Sequence, residues 1–247
     1  MPRFKLTIEY DGSNYAGWQR QEGLKTIQGA LEKAVFRFSG QQLTITTAGR
    51  TDAGVHATGQ VAHIDFEKNW SPYTICNAIN AHLRQQKENI SILSVQNVPD
   101  DFNARFCAIK RHYLFKILNR RSPPALNAQR VWWIPKPLNV NAMHEAAQIL
   151  VGQHDFTTFR SVHCQAKSPV RTLECLDVFR KEEEVFLYAR ARSFLHHQIR
   201  SFAGSLMEVG IGRWTAQDIE EALYAKNRTR CGMVAPPSGL YLTKVDY

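Results

Sequence analysis

The sequence has few cysteines, and no two of them lie close together. The five are odd in number, widely separated and contain no Cys-x-x-Cys motif: Cys76, Cys107, Cys164, Cys175 and Cys231. Disulfide frameworks and zinc clusters both need paired or regularly spaced cysteines. The histidines also lack the spacing that would place two metal ligands on one helical face. We therefore predict reduced, mostly structural thiols and no metal.

Long apolar runs are missing as well. No stretch reaches the roughly 18 apolar residues of a membrane-spanning helix, and the first residues lack the apolar segment of a secretory signal. At 44% hydrophobic residues in a chain of 247, the composition is that of a globular protein with a substantial core. We expect a soluble, cytoplasmic protein with no membrane partner.

Acidic residues are absent from two long windows, residues 102–144 and 185–207, in a chain of formal net charge +9. The first window interleaves arginines and lysines with aromatic residues. Cations that contact phosphates, together with aromatic rings that stack on bases, are typical of an RNA-binding surface. The alternative is a solvated basic face whose aromatic residues belong to the core. The distribution of charge favours RNA binding.

Hydrophobic periodicity predicts the order β-α-β-β-α-β twice along the chain. The predicted elements cover residues 3–10, 27–38, 43–46, 60–66, 72–83 and 90–95, and then 112–118, 141–151, 171–179, 185–192, 196–209 and 239–245. This order predicts an α+β protein of two ferredoxin-like subdomains, residues 1–104 and 105–247, forming one long antiparallel sheet with helices on one face and a central basic cleft. Gly210-Ile-Gly212 follows a helix but precedes no helix whose N-terminus could hold a phosphate, so it is interpreted as a helix stop.

The stretch Thr47-Ala-Gly-Arg-Thr-Asp-Ala-Gly-Val-His56 is the most informative motif. Gly49 and Gly54 permit backbone angles closed to other residues, and they bracket Arg50 and Asp52 in a segment without helix or strand periodicity. A surface β-turn in which Asp52 bonds its own backbone is one interpretation. We favour a functional loop, because a plain connection does not require this combination.

A second candidate region is the segment of residues 193–207. Its apolar positions, which include Leu195 and Ile199, follow helical spacing, and Arg200 lies at the edge of this stripe. A partly buried carboxylate needs a cationic partner to remain ionised. We therefore predict that Arg200 pairs with Asp52. Tyr113, which has basic neighbours, is either an ordinary strand residue or a platform for a base.

Six blocks of the sequence resemble the tRNA pseudouridine synthase A family, in the same order and over nearly the whole chain. They are Tyr10-Asp-Gly-Ser-Asn-Tyr-Ala-Gly-Trp-Gln-Arg-Gln21, Ala48-Gly-Arg-Thr-Asp-Ala-Gly-Val-His-Ala57, Phe102-Asn-Ala-Arg-Phe106, Gly152-Gln-His-Asp-Phe156, Phe194-Leu-His-His-Gln-Ile-Arg200 and Ala235-Pro-Pro-Ser-Gly-Leu-Tyr-Leu242. The resemblance implies the pseudouridine synthase fold and a homodimer. It also implies an enzyme that isomerises uridine to pseudouridine at positions 38, 39 and 40 of the tRNA anticodon stem-loop, without a metal or organic cofactor.

The resemblance further implies residue roles. Asp52 is expected to be the catalytic aspartate, Arg50 to fill the space left by the flipped base, Tyr113 to pack on the target uracil, and Arg200 to act as the partner of Asp52. Ile199 is a further substrate-binding candidate. The RNA-binding candidates are Arg20, Arg105, Lys110, Arg111 and His197. The sequence departs from the family at His112 and Leu114, which flank Tyr113 in place of the residues often found there.

Two other classes of function compete with this interpretation. A non-catalytic RNA-binding or RNA-folding protein would use the same basic surface and would not need Asp52. An aspartate-based hydrolase would leave the basic windows unexplained, and it would also lack a second acid or base near Asp52. Both alternatives rank below the enzyme that acts on RNA.

Overall fold

The computed structural model describes residues 1–247 and divides into two compact units. The first contains Met1–Ile109 together with Tyr241–Tyr247, and the second contains Lys110–Leu240. The predicted boundary between residues 104 and 105 lies a few residues earlier, and it assigns the last strand to the C-terminal subdomain. That division stays a prediction, whereas the α+β class is confirmed.

The first unit has the predicted order of elements. It contains β1 (Arg3–Tyr10), α1 (Ile27–Ser39), β2 (Thr46–Thr47), β3 (His56–Asp65), α2 (Pro72–Gln85), β4 (Ile90–Val98) and the last strand, β10 (Leu240–Asp246). Strand β1 pairs antiparallel with both β3 and β4. The start of β10 instead runs parallel to the start of β3, with Tyr241 opposite His56. The prediction of an entirely antiparallel sheet is therefore wrong at this strand.

Alternation along β1 builds the core of the first unit. Phe4, Leu6 and Ile8 are fully buried, while the residues between them are more exposed. The helices contribute Leu31 from α1 and Ile79 from α2, which are also fully buried. The side-chain hydroxyls of Thr26 and Ser71 accept hydrogen bonds from the first turns of α1 and α2 and so define where each helix begins.

Strand β2 is much shorter than predicted, and the predicted strand at residues 43–46 is wrong except at its end. The backbone of Ile45 bonds to side chains of α1 instead of a neighbouring strand. Its N–H donates to Glu32 Oε1 at 3.1 Å, and its carbonyl accepts from Gln28 Nε2 at 3.3 Å. Polar side chains of the helix thus replace the sheet partners that a longer β2 would need.

The second unit contains β5 (Lys110–Leu118), β6 (Trp132–Trp133), α3 (Val140–Gln148), β7 (Gly152–Asp155), β8 (Val170–Lys181), β9 (Glu184–Ala191), α4 (Gln198–Gly210) and α5 (Ala216–Ala225). Strands β5, β9, β8 and β7 lie side by side with antiparallel pairing. The short β6 pairs parallel with β5. Helix α3 packs on β8, whose Leu173 and Leu176 are buried.

Helix α5 corrects the interpretation of Gly210-Ile-Gly212. Helix α4 does end at Gly210, and Gly212 adopts φ +76°. A new helix nevertheless begins four residues later, because Thr215 and Asp218 form a reciprocal capping box at its first turn. The glycines do follow the end of a helix, but the predicted order of elements lacks the helix that comes after them.

Two simpler expectations are also resolved. All five cysteines are free thiols, as predicted. None of the helices combines the length and the apolar character needed to cross a bilayer.

Candidate active site

The loop at residues 48–55, which carries Asp52, is tied to a distant stretch of backbone. The Trp18 N–H donates to the Thr51 carbonyl at 3.0 Å, and the Gly54 N–H donates to the Tyr15 carbonyl at 3.3 Å. A further bond within the loop runs from the Val55 N–H to the Asp52 carbonyl at 3.2 Å. These bonds fix the backbone on both sides of the Asp52 side chain, which is half-buried.

Gly17 makes the close approach of these two backbone segments possible. It adopts φ +97°, and a Cβ atom placed there would lie only 2.8 Å from the Thr51 carbonyl oxygen and 3.1 Å from the Ala53 nitrogen. A larger residue would push the loop away or strain its own backbone. The glycine of the Tyr15-Ala-Gly-Trp18 block is therefore required by the geometry of the Asp52 loop.

A buried polar cluster supports the loop from beneath. The Tyr10 hydroxyl bonds to Thr51 Oγ1 at 2.8 Å, and Gln60 Nε2 donates to the Gly49 carbonyl at 2.8 Å and to the Tyr10 hydroxyl at 3.4 Å. Tyr10, Thr51 and Gln60 are at most 7% exposed. Burial raises the pKa of Tyr10 to about 12, so its hydroxyl stays protonated at neutral pH. No local pattern in the sequence indicates this cluster.

Arg50 lies between the two supported positions, Gly49 and Thr51. Its side chain is exposed and forms no ion pair or hydrogen bond within the protein. An arginine with an anchored backbone and an unpaired guanidinium group is available to an external anion or base. This arrangement fits the predicted role of Arg50 in contacting RNA, which remains a prediction.

The start of β3 is also held by a polar contact. His56 is buried, and its Nδ1 accepts the Gly12 N–H at 3.1 Å and lies 3.2 Å from Asp11 Oδ1. Its ring stacks on Tyr241 with the ring centroids 4.7 Å apart. His56, the final residue of the Asp52 motif, therefore connects β3 to the turn after β1 and to β10.

In the second unit, Tyr113 lies on β5 opposite Ala189 of β9. The tyrosine is half-buried, and its ring meets that of Phe194 edge to face, with centroids 5.2 Å apart. An edge-to-face contact fixes the orientation of a ring while leaving part of its surface open. Phe194 begins one of the blocks that resemble the family, but no local pattern indicates that it supports Tyr113.

Arg200 lies in the first turn of α4 and is held by reciprocal bonds to one residue. Its Nε donates to the Ala235 carbonyl at 2.8 Å, and the Ala235 N–H donates to the Arg200 carbonyl at 3.0 Å. His197, at the N-cap of the helix, adopts φ +64°. Ile199, predicted to bind substrate, is only 4% exposed.

The remaining RNA-binding candidates differ in their surroundings. Arg20 is exposed but pairs with Glu32 at 3.0 Å, and Lys110 pairs with Glu174 at 2.7 Å. Arg111 Nη1 donates to the carbonyl of Arg192 at 2.7 Å, and the guanidinium group of Arg105 lies 5.5 Å from the centroid of the neighbouring Phe106 ring. Two of the four cations are thus partly neutralised by carboxylates.

Comparison with known proteins identifies the family. A family model described as tRNA pseudouridine synthase matches residues 6–107 and 146–247. The chain belongs to the tRNA pseudouridine synthase family. The predictions of this family and of an isomerase that acts on tRNA are confirmed.

Relatives cover the whole chain. Proteins named tRNA pseudouridine synthase A from Bartonella tribocorum and Bartonella henselae are each 82% identical to it over 247 residues, covering all of both sequences. The protein of the same name from Rhizobium meliloti is 60% identical, again over the full length of both.

The two segments matched by the family model include most of the predicted site. Asp52, Arg50, Ile199 and Arg200 lie inside them. Tyr113, Lys110 and Arg111 lie in the intervening stretch that the model does not match. Asp52 and Arg200 belong to different units, and their pairing stays a prediction.

Proposed function

We propose that this tRNA pseudouridine synthase isomerises uridines at positions 38, 39 and 40 of the anticodon stem-loop, with Asp52 as the catalytic group. The observation that supports Asp52 is the anchoring of its loop. Backbone bonds to Tyr15 and Trp18 and the buried hydroxyl of Tyr10 hold the loop, while the carboxylate itself is partly open to solvent. Rigid support beneath an accessible carboxylate is the arrangement that positioned catalysis needs.

The reaction breaks the bond between C1′ of the ribose and N1 of uracil, and it forms a bond between C1′ and C5. The C5 proton leaves to solvent and N1 gains a proton, so the product is an isomer of the substrate and no oxidant or reductant is consumed. Asp52 has three routes open to it: attack on C1′, abstraction of a sugar proton, or addition to C6 of the base.

The other residues have roles in holding the nucleotide. Extruding a base from a stacked stem costs on the order of a few kcal/mol, and Arg50 would offset that cost by occupying the gap and contacting phosphate. Tyr113, oriented by Phe194, would pack on the detached uracil. Arg200, fixed at Nε by Ala235, would present the rest of its guanidinium group to Asp52.

The proposal includes a cytoplasmic homodimer that acts without a cofactor. The redox-neutral reaction supports the absence of a redox cofactor. Sedimentation of the purified protein measures the oligomeric state directly, and a monomer at micromolar concentration would overturn the dimer while leaving the chemistry intact.

The decisive experiment supplies unmodified tRNA carrying tritium at uridine C5 and measures release of tritium to water. Asp52→Asn should lower release by more than about 1,000-fold, because the charge is lost while the shape is kept. Binding of the tRNA should stay within a few-fold of the wild-type protein. Asp100→Asn, at an exposed carboxylate after β4, is the control and should release tritium normally.

Two outcomes would contradict the proposal. Undiminished release from Asp52→Asn would remove Asp52 from the chemistry. If sequencing of the product RNA finds pseudouridine outside positions 38–40, the enzyme acts on a different site in the tRNA.

A further inference from the structure

The second unit contains an open pocket of about 460 Å³. It is lined by Gln153, Val170, Arg171, Thr172, Glu174, Arg192 and Ser193. Volumes of several hundred cubic ångströms are typical of ligand-binding clefts. All but one of these side chains are polar or charged, so the pocket suits a polar ligand.

Part of the pocket wall lies on the face of the sheet opposite to α3. Leu173 and Leu176 of β8 are buried on the side where α3 packs. Thr172 alternates with Leu173 along the strand, so it points to the opposite face, whereas Glu174 lies in the irregularity between Leu173 and Cys175. Gln153 of β7 is the register partner of Thr172, which brings both polar side chains to the same part of the pocket wall.

Two arginines of the pocket wall are able to bind an anion. The Nε atom of Arg171 is buried and has no hydrogen-bond partner, although its Nη1 donates to the carbonyls of Ser168 and Val170. The side chain of Arg192 is exposed and forms no contact with another charged group. A buried N–H without an acceptor is uncommon in proteins and is commonly satisfied by a bound water or ion.

The single carboxylate in the wall is already compensated. Glu174 accepts from Lys110 at 2.7 Å and lies 3.2 Å from Nε of Arg190. The hydrogen bond from Lys110 and the nearby charges of Lys110 and Arg190 hold the pKa of Glu174 below its usual range, so it is ionised at neutral pH. The wall contains two arginines and one carboxylate that is already paired with Lys110 and Arg190, so the pocket carries a net positive charge.

The pocket is also next to a candidate substrate contact. Ser193 lines it, and the following residue, Phe194, holds the ring of Tyr113. Ser193 and Phe194 are consecutive, so their Cα atoms are about 3.8 Å apart. An RNA strand whose base packs on Tyr113 would therefore pass this pocket within a few nucleotides.

We propose that this pocket binds one backbone phosphate of the RNA, with its ribose, at a nucleotide flanking the target uridine. Arg171 and Arg192 contact the phosphate, and Thr172, Ser193 and Gln153 offer hydrogen bonds to the sugar. The inference rests on the proposed function, because it takes tRNA as the ligand and Tyr113 as the site of the target base.

The test measures binding of unmodified tRNA to the intact protein over a range of salt concentrations. Arg192→Ala should weaken binding about three- to tenfold near 0.1 M salt and reduce the slope of log affinity against log salt by about 0.7 to 1. Lys181→Ala is the matched control. It removes one exposed positive charge at the far end of β8, about 33 Å from Arg171 along the strand, and it should change neither quantity.

A second variant gives a change of opposite sign. Glu174→Gln removes the only negative charge in the pocket wall and frees Lys110 and Arg190, so it should tighten tRNA binding about two- to threefold. A purely structural role of Glu174 predicts weaker binding instead. The proposal is overturned if Arg192→Ala and Lys181→Ala behave alike, or if Glu174→Gln weakens binding as Arg192→Ala does.

Tritium release by the wild-type protein, measured in parallel, distinguishes a failure of the proposed reaction from a failure of the proposed phosphate pocket. Absence of release with the expected change in salt slope would contradict the proposed reaction but retain the phosphate pocket. Normal release with unchanged slopes would retain the reaction and reject the pocket.

Discussion

The two units use the same position in their order of elements for different purposes. In the first unit, residues 48–55 join β2 to β3, and this segment bonds to Tyr15 and Trp18 and carries Asp52. In the second unit, β8 and β9 are joined by Glu182 and Glu183 alone, with Lys181 paired directly to Glu184. The connection between β2 and β3 is long and is held by hydrogen bonds to residues outside it, whereas the connection between β8 and β9 is a tight hairpin.

The difference shows how a repeated order of elements supports a long, carboxylate-bearing loop in one copy only. In the second unit β8 is twelve residues long and closes the hairpin itself. In the first unit β2 has two residues, so the backbone that follows it must find its hydrogen bonds elsewhere. Those bonds position the loop that carries the carboxylate.

The largest effect is expected when the close approach between Gly17 and the loop at residues 48–55 is blocked. Gly17→Ala places a Cβ atom 2.8 Å from the Thr51 carbonyl at a φ of +97°. We expect a loss of about 3 kcal/mol or more in the free energy of unfolding, since backbone strain and a steric clash add together. Turnover should also fall by at least tenfold. Urea denaturation and tritium release measure the two effects.

Gly23→Ala separates the two causes. Gly23 has a similar φ of +72°, but nothing lies within 4 Å of an added Cβ atom. It should therefore lose only about 1–2 kcal/mol, the cost of the left-handed backbone. Equal losses in both variants would show that contact with the Asp52 loop is unimportant.

A smaller effect is expected when the buried support of the loop is weakened. Tyr10→Phe removes the hydroxyl bonded to Thr51 and should cost about 1–3 kcal/mol of stability. Because it loosens the backbone next to Asp52, kcat should fall about tenfold with KM nearly unchanged. Thermal unfolding and steady-state kinetics measure both quantities.

Tyr188→Phe is the matched control in the second unit. It removes a hydroxyl that lies 2.6 Å from Nδ1 of His112, and it should lower stability without the same loss of kcat. If the two variants lower kcat equally, the Tyr10 hydroxyl has no special role in positioning the loop.

An ion pair at the opposite end of β1 and β3 should have a modest, pH-dependent effect. Arg3 Nε and Nη2 donate to the two oxygens of Asp65 at 2.7 and 2.8 Å, and this pair lowers the pKa of Asp65. A lowered folded-state pKa gives stability that is fully present above the unfolded pKa, near 4, and is lost as pH falls through the folded value. Because the carboxylate is about one-third exposed, we expect no more than about 1 kcal/mol.

The measurement compares unfolding of the wild-type protein and Asp65→Asn between pH 7 and pH 2. The difference should be constant near neutrality and disappear in acid. A difference that persists at pH 2 would mean that the amide disturbs packing and that the charge contributes little.

The smallest effect concerns the tight hairpin. Glu182 adopts φ +55°, which glycine tolerates better than glutamate. Glu182→Gly should stabilise the protein by about 0.5 kcal/mol and leave tritium release unchanged, since this turn serves only to connect strands. A loss of activity would mean that the hairpin participates in function and that the contrast between the two connections is too simple.

Much of the fold follows from local patterns. The alternation in β1 and the capping residues Thr26 and Ser71 define strand and helices within a few residues, because each depends on near neighbours in sequence. Helix α5 was missed although its capping box, Thr215 and Asp218, is visible in the sequence. Strand β7 has only four residues, too few for a clear alternation.

The candidate site was only partly predictable. Two glycines around Arg50 and Asp52 mark the loop, because unusual backbone freedom is a local property. The support given by Tyr10 and Gln60 depends on contacts between segments about 40–50 residues apart, which no local pattern reveals. The same holds for Phe194 against Tyr113, and for Ala235 against Arg200.

Strand β10 has a consequence for biosynthesis. It adds Tyr241 to the unit that begins with Met1, and the Tyr247 hydroxyl donates to the Ala104 carbonyl at 2.7 Å. Residues 1–109 are translated before β10, so their unit lacks this strand until residues 240–246 have been synthesised. During synthesis, residues 1–109 therefore have an open sheet edge while more than a hundred further residues emerge, and a chain interrupted before residue 240 contains an incomplete first unit.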